Sequence, residues 1–347
     1  MSARDSGTRS VRELVDALFA GDEAWIVGGA VRDQALGRPL IDLDVALREP
    51  EQAARKLARH VGGAPFLLSE RHGAWRVVLE DGRTLDFTPL PGSIEDDLAK
   101  RDFAINAIAE RAGGGERVDP YDGAGDLAAR RIAAIGGEVF RGDPLRLLRA
   151  VRLEDELEGF RIEPGTEELI RRDAALVVDP ALERVLAELL RLSPAGYRRL
   201  DELGLLAPLG GTLDERLERW DSAEYRLVAV FGEGLRRWPV SNELRRLGSA
   251  LRRAERPERD ARSIHRFRRA TEPFALEALA FVDALDLQDA VEEARRFEPA
   301  EPLVRGDELG LPPGPEIGRL LAEIDEERAA GTIASREEAL DYARRHA

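Results

Sequence analysis

Short apolar runs bounded by turn residues dominate the first 140 residues of the chain. The segments AWIVGG, LIDLDVAL, WRVVLED and RTLDFTPL have the length and residue types of strands, and the Asp-Gly pair in EDGRT predicts a hairpin between the last two. The segments EPEQAARKLARHVGG and SIEDDLAKRDFAINAIAER have helical spacing and acidic first turns. This part of the sequence therefore predicts a mixed sheet with helices.

From Asp143 onward the pattern becomes helical throughout, as in DPLRLLRAVRLEDELEG and ALERVLAELLRL. We find no internal repeat of fixed period in this region. The fold class predicted is α+β, with a head over residues 1–140 followed by an all-helical array. Within that array we predict a neck over 141–215 and a body and tail over 216–347.

The composition predicts a reducing compartment and argues against a membrane protein. The 347 residues include no cysteine, and the first residues, MSARDSGTRSVREL, lack an apolar core. No segment approaches the roughly 20 apolar residues of a membrane span. We expect a cytoplasmic protein whose oligomeric state the sequence leaves open.

The net charge of −15 argues against a general attraction to nucleic acid, but the charges are unevenly distributed. Residues 236–269 contain twelve arginines and four acidic residues. One basic surface on an otherwise acidic protein is therefore expected from this stretch.

The stretch WIVGGAVRD has the pattern of a phosphate-binding turn. Gly28 and Gly29 end a strand where a helix begins, so free N–H groups and the positive end of the helix dipole can meet an anion there. Arg32, one turn into the helix, can reach the same anion. The alternative is that the glycines only end a strand.

A pair of aspartates follows one short helix later. Asp42 and Asp44 lie two residues apart in a period-two segment, so both carboxylates face one side of the strand. Such a pair repels unless a cation lies between them, and Mg²⁺ prefers oxygen ligands and serves phosphoryl transfer. Asp86 in TLDFTPL is the candidate third carboxylate. The alternative is a solvated strand face, but the order and spacing of the two motifs favour one site for triphosphate and metal.

Several motifs in this order resemble one family. GGAVRD with its spacing to DLD, then DDLAKRDFAINAIA, DPYDGAGDLAARRI and DPLRLLRAVRL, resemble the class II tRNA nucleotidyltransferases and bacterial poly(A) polymerases of the polymerase-β nucleotidyltransferase superfamily. The resemblance covers most of the chain. It implies an enzyme in which the 3′-hydroxyl of an RNA attacks the α-phosphate of CTP or ATP. It also implies that Gly29 and Arg32 hold the triphosphate, and that Asp42 and Asp44 coordinate Mg²⁺.

The same resemblance implies the residues that bind the nucleotide. Arg101 would contact the incoming nucleotide, with Asn106 in the same pocket. Asp143 and Arg146 would form a protein template, because a carboxylate acceptor and a guanidinium donor can pair with the Watson–Crick edge of cytosine or adenine.

Two further arginines continue the helix of the template pair. Arg149 and Arg152 follow at three-residue steps and would extend the nucleotide pocket. The alternative for Arg146, Arg149 and Arg152 is a solvated helix face paired with the acidic residues at 154–156.

Two departures from the family pattern leave the base specificity open. Gly142 stands where the family usually has a glutamate, so a contact that orients Arg146 is missing. Only FTPLPGSIE connects the strand of Asp86 to the next helix, where many members have a long flexible loop implicated in the switch from C to A addition. The resemblance associates a short loop with enzymes that add only two cytidines.

The predicted function is template-independent addition of CMP and AMP, from CTP and ATP, to the 3′ end of tRNA, which is CCA addition and repair. The tRNA would lie along the helical array, with residues 236–269 as the predicted contact surface. Addition of CC alone, of A alone, poly(A) synthesis and a catalytically silent RNA-binding paralogue remain alternatives.

Overall fold

The computed structural model describes residues 10–70, 72–299 and 301–347, and its contacts divide the chain into two compact units. The first unit ends at Leu209, and the second is Gly210–Ala347. Strands lie in the first unit, whereas the described part of the second is helical, which confirms the predicted α+β class. The finer boundaries at residues 140 and 215 remain predictions.

The first unit combines a sheet with helices. Its strands are β1 (Ala24–Val27), β2 (Asp42–Leu47), β3 (Ala64–Ser69), β4 (Ala74–Val78), β5 (Thr84–Pro89), β6 (Ala109–Arg111), β7 (Arg117–Val118), β8 (Arg131–Ile132) and β9 (Arg161–Ile162). Its helices are α1 (Val11–Phe19), α2 (Gly29–Ala35), α3 (Pro50–Val61), α4 (Ile94–Leu98), α5 (Gly123–Ala128), α6 (Val139–Gly142), α7 (Leu145–Glu156), α8 (Pro164–Asp173), α9 (Leu182–Leu189) and α10 (Pro194–Glu202). A short 3₁₀ turn spans Ala104–Asn106.

The main sheet has the strand order β3-β4-β5-β2-β1-β6-β7. Strands β2 and β5 are parallel, and the other neighbouring pairs are antiparallel, so the sheet is mixed as predicted. Strand β1 lies inside the sheet, between β2 and β6, and is buried along its whole length. The Asp-Gly pair forms the predicted β4–β5 hairpin, in which Gly82 has a φ of 86°.

Two helices of the first unit have sequence features that explain their position. Ser93 begins α4, where its side chain accepts a hydrogen bond from the Asp96 N–H, and the Asp96 carboxylate accepts one from the Ser93 N–H. Helix α7 is buried on most sides, and Arg146 and Arg149 lie on the part of its surface that is left partly accessible. Packing of the leucines and of Val151 in α7 therefore fixes the positions of these two arginines.

The second unit is built from amphipathic helices. They are α11 (Ala223–Phe231), α12 (Asn242–Arg253), α13 (Ala261–Thr271), α14 (Ala275–Phe281), α15 (Gln288–Arg296), α16 (Pro315–Ala329) and α17 (Arg336–His346). The rings of Trp220 and Phe281 stack in its core with centroids 4.7 Å apart. In neither unit does a described helix have the length and apolar character needed to cross a membrane.

Candidate active site

The turn between β1 and α2 brings charged groups close to the backbone. Gly28 has a φ of 70°, a conformation that side chains rarely adopt. A Cβ atom at Gly28 would lie 3.2 Å from Nη1 of Arg101 and 3.5 Å from Oδ2 of Asp44. The glycine is therefore required both by the turn and by this close approach. At Gly29 a Cβ would lie 3.2 Å from Nη2 of Arg32, so that guanidinium also folds against the turn.

The sheet register aligns the predicted carboxylates. Asp44 is opposite Asp86 on the parallel neighbour β5, and Asp42 is opposite Thr84, whose hydroxyl donates a hydrogen bond to it. Asp86 also binds Arg76 of β4 through two hydrogen bonds of 2.6 and 2.7 Å. Asp42 and Asp44 thus lie at the start of β2 on one face of the strand, as strand periodicity predicts, while Asp86 already has a cationic partner.

Asp44 is electrostatically strained. Burial raises its pKa from 3.8 to about 6; the charge of Arg101 opposes this rise, and the charges of Asp86 and Asp42 add to it. In the described residues no group of three or more His, Cys, Asp or Glu side chains is arranged to hold a metal ion. The arrangement is a pair of carboxylates with a third engaged by Arg76, and the charge at Asp44 is only partly compensated.

A chain of polar contacts connects α2 to α7. Arg32 Nη1 donates to Oδ1 of Asn106 at 2.8 Å, and Asn106 Nδ2 donates to Oδ1 of Asp102 at 3.0 Å. Arg149 forms an ion pair with Asp102 at 3.0 Å. Burial acts to raise the pKa of Asp102, but Arg149 and the Asn106 amide outweigh it and hold that pKa below its usual range. The chain of contacts thus joins the glycine turn to the helix of the template pair.

Asp143 and Arg146, the predicted template pair, both contact groups outside the motif. Arg146 donates hydrogen bonds to the carbonyl oxygens of Lys100 and Val139. Asp143 Oδ2 accepts a hydrogen bond from Arg184 Nη2 at 3.1 Å. A Cβ atom at Gly142 would meet no other group within 4 Å. Two carbonyls therefore orient Arg146, whose expected acidic neighbour is a glycine here.

A cleft of about 160 Å³ collects most of the predicted residues in one place. Those that line it are Gly28, Gly29, Asp44, Arg101, Asn106, Asp143, Arg146 and Arg149, together with Lys100 and Asp102. Arg32 contacts the lining residue Asn106, and Asp86 lies opposite Asp44. Asp42 precedes Asp44 on the same strand by two residues. The cleft is thus bounded by the glycine turn, one carboxylate of the strand pair and the template pair.

The structure does not bring Arg152 to this cleft. Its side chain is 10% exposed and pairs with Glu188 at 2.6 Å and with Glu156 at 3.1 Å. Each three-residue step rotates the position backwards by about 60° around an α-helix, so two steps from Arg146 reach another face. We therefore leave Arg152 out of the proposed site. The alternative of a solvated helix face does not describe Arg152 either, because its side chain is buried; only the pairing with Glu156 agrees with that alternative.

The sequence reasoning missed Asp102 and Arg184. Asp102 carries a signal that could have found it, because it and Asn106 are the polar residues in the buried run 102–109. A buried aspartate needs a partner of opposite charge. Arg184 carries no such signal, since its contact with Asp143 joins residues 41 positions apart.

The arginine-rich stretch of the second unit is less basic than its composition implies. Half of its arginines pair with acidic side chains, and these are Arg236, Arg252, Arg256, Arg262, Arg266 and Arg268. On α12, by contrast, Arg246 lies 5.9 Å from the Phe274 ring centroid, and Arg253 donates to the Ala270 carbonyl. Neither forms an ion pair with a described acidic residue, so positive charge remains available there.

Comparisons with known proteins bear on these motifs. The poly A polymerase head domain matches residues 24–91 and 76–133. A CC-adding tRNA nucleotidyltransferase of Geobacter sulfurreducens is 44% identical over 179 residues, which is 51% of this chain and 41% of that protein. Against this relative the chain therefore aligns over less than half of the relative's length.

Two further relatives align over nearly their full length. The CC-adding tRNA nucleotidyltransferase of Thermus thermophilus is 33% identical over 92% of this chain and 93% of its own. The A-adding tRNA nucleotidyltransferase of Deinococcus radiodurans is 32% identical over 93% of this chain and 95% of its own. The fold is also that of the Thermotoga maritima CCA-adding enzyme complexed with tRNA, at a TM-score of 0.65, 19% identity and coverage of 96% and 94%. The chain thus belongs to the tRNA nucleotidyltransferase family and is a nucleotidyltransferase.

Proposed function

We propose that this chain adds CMP and AMP, from CTP and ATP, to the 3′ end of tRNA without a nucleic-acid template. The observation that carries the proposal is the single cleft in which the glycine turn, Asp44 and the pair Asp143 and Arg146 meet. The glycine turn can bind a triphosphate, and Asp44 can support nucleotidyl transfer. Asp143 and Arg146 can pair with a base. The near-complete alignment with CC-adding and A-adding relatives supports tRNA as the acceptor.

The donor set fits Mg²⁺. Asp42 and Asp44 lie on the same face of β2, and the raised pKa of Asp44 means that its carboxylate lacks full compensation by the cations present. These two residues would hold the ion, with Asp86 beside them across the β2–β5 pairing. When bound, Mg²⁺ supplies charge neutralisation at the reacting phosphate and the leaving pyrophosphate.

The arginines around the turn are suited to hold the triphosphate. Arg32 is fixed by Asn106 through a 2.8 Å hydrogen bond and by two 3.0 Å hydrogen bonds to the Asp33 carboxylate. Its Nη2 lies beside Gly29. Arg101 lies between the turn and Asp97, to which it donates at 2.7 Å. Both guanidiniums are held in place before the nucleotide arrives, so the site acts mainly by positioning and charge stabilisation.

Base selection falls to Asp143 and Arg146. The Asp143 carboxylate can accept from the exocyclic amino group of cytosine or adenine, and Arg146 can donate to the adjacent ring nitrogen. The carbonyls of Lys100 and Val139 hold Arg146 and take up two of its donors, while the guanidinium has five N–H groups in all. Donors therefore remain for the base.

The tRNA surface that we propose lies on α12. Arg246 and Arg253 are seven residues apart, so they lie on one face of the helix, and neither is neutralised by a described carboxylate. Arginines of this kind can bind phosphates of an RNA backbone. A cytoplasmic location is part of the same proposal, supported by the absence of cysteine from the sequence.

Addition of CC alone is the second candidate, and one observation favours it. The connection between β5 and α4 is confined to residues 90–93, where the family resemblance expects a long flexible loop in many members. A connection of four residues leaves little chain that could rearrange when the enzyme switches from adding C to adding A. Gly142, directly before Asp143, is a second departure from the family pattern.

The experiment incubates the full chain with tRNA acceptors that end at the discriminator base, at C and at CC. Each acceptor receives CTP, ATP or both, and the products are sequenced. We expect CCA ends from the first acceptor with both nucleotides, whereas products that stop at CC support the second candidate. A long A tail would favour poly(A) synthesis, and no incorporation on any acceptor would contradict the proposed function.

A further inference from the structure

The carboxylate of Asp143 is held from two sides. The N–H of Leu145 donates to Oδ1 at 3.2 Å, and Arg184 Nη2 donates to Oδ2 at 3.1 Å. Leu145 is the first residue of α7 and lies two positions after Asp143, whereas Arg184 comes from the first turn of α9. The carboxylate therefore cannot rotate without breaking one of these two bonds.

Arg184 contacts Asp143 without lining the cleft, whose wall contains Asp143 and Arg146. The Arg184 side chain is 54% exposed and that of Asp143 is 32% exposed. Ion pairs with this exposure add little to stability, because water screens them. The ion pair between Arg184 and Asp143 therefore contributes little to stability. Its contact with a residue of the cleft wall indicates a role in the site instead.

The position of a template carboxylate decides which base it suits. Cytosine and adenine both present an amino donor next to a ring-nitrogen acceptor, so both can pair with an aspartate and an arginine. The two edges lie at different distances from the sugar, because cytosine is a pyrimidine and adenine a purine. A carboxylate fixed in one position suits one edge better, whereas a carboxylate that can turn accommodates both.

We propose that Arg184 is a positioning residue that sets the preference between CTP and ATP by fixing the carboxylate of Asp143. This inference rests on the proposed function, because it takes Asp143 as the acceptor for the base. Each carboxylate oxygen accepts more than one hydrogen bond, so the bonds from Leu145 and Arg184 leave capacity for the nucleotide. Gly142 contributes no side chain at this point, which leaves the orientation of Asp143 to these two donors among the described residues.

The test measures kcat/KM for CMP and AMP incorporation on matched tRNA acceptors. Arg184→Gln removes the charge and keeps most of the length, and Arg184→Lys keeps the charge but loses the planar fork. Arg191→Gln is the control, because Arg191 follows the same helix and pairs with Glu156 at 2.7 Å, outside the cleft. We expect Arg184→Gln to move the ratio of the two kcat/KM values toward unity by about tenfold. A change of this size corresponds to the loss of one charge-assisted hydrogen bond. Arg184→Lys should move it less, and Arg191→Gln should leave it unchanged.

The inference is overturned if Arg184→Gln lowers both kcat/KM values by the same factor or changes neither. Thermal unfolding checks that the variants fold; if Arg184→Gln does not, the ratio for Arg184→Lys decides alone. Asp143→Ala separates this inference from the proposed function. A ratio that changes in Asp143→Ala but not in the Arg184 variants refutes the role of Arg184 only. A ratio unchanged in Asp143→Ala refutes the template assignment itself, and the role of Arg184 with it.

Discussion

Asp44→Asn should make the metal-free protein more stable while it removes the activity. The shift in the pKa of Asp44 from 3.8 to about 6 means that the native state holds the neutral form more tightly than the unfolded chain does. A shift of this size corresponds to about 3 kcal/mol against the ionised form, at 1.36 kcal/mol per pKa unit. Surrounding protein atoms desolvate the Asp44 carboxyl, but the residue keeps some accessible surface, so screening by water reduces the figure and we expect a gain of about 1–2 kcal/mol.

The sign of this effect fixes its pH dependence. Because the pKa is raised on folding, the native state binds the proton that the unfolded chain releases between pH 3.8 and about 6. The contribution of Asp44 to stability therefore falls as the pH rises through this window, and the full penalty is present above it. The advantage of the Asn variant should be small near pH 4 and complete at pH 7–8.

Denaturant unfolding in EDTA at pH 4, 6 and 8 measures this difference, with hydrogen exchange of β1 and β2 reporting on the first unit. Asp42→Asn is the matched control, because Asp42 is exposed on the same strand, and we expect a small change. Added Mg²⁺ should stabilise the parent and not the Asp44 variant. An Asn variant that is no more stable than the parent at pH 8 would refute the claim that Asp44 carries uncompensated charge.

Two other predictions follow from the turn and from α12. Gly28→Ala should lower activity at least about tenfold and stability by about 1–3 kcal/mol, because the Cβ meets Arg101 as well as an unfavourable φ. Gly37→Ala is its control, since Gly37 has a φ of 68° but open space around it, so activity should survive there. Replacing Arg246 and Arg253 by Gln should weaken tRNA binding and lower the slope of log affinity against log salt by about 1 for each RNA phosphate that the variant no longer neutralises. Arg262→Gln, which breaks an ion pair with an acidic side chain, should leave that slope unchanged; equal slopes in all variants would exclude α12 as the RNA surface.

The elements of the site that could be predicted are local in sequence. The glycine turn between a strand and a helix, and the two aspartates on one face of β2, follow from residue order and from strand periodicity. Asp86 is the candidate third carboxylate from the sequence, and the β2–β5 register places it opposite Asp44. Short-range chemistry fixes these features, so the sequence is enough to find them.

The features that were missed depend on contacts between distant elements. Arg76 engages Asp86 because the β4–β5 register puts them opposite each other; the Asp-Gly pair predicts the hairpin but not which residues face each other across it. Arg184 meets Asp143 through the packing of α9 against α7, which sequence spacing does not define. The net charge of residues 236–269 overstates the positive charge of this stretch in the fold, because acidic residues outside the stretch neutralise many of its arginines.

We expect nucleotidyl transfer in this cleft to depend on the carboxylate pair of β2. The most direct measurement of this dependence is incorporation of labelled CMP into a tRNA acceptor by the parent and by the double variant Asp42→Ala with Asp44→Ala. Asp81→Ala, in the exposed β4–β5 hairpin, serves as a folding-matched control and should keep the activity of the parent. We predict that the double variant loses incorporation while it still binds tRNA. Incorporation by the double variant at the rate of the parent would contradict the account.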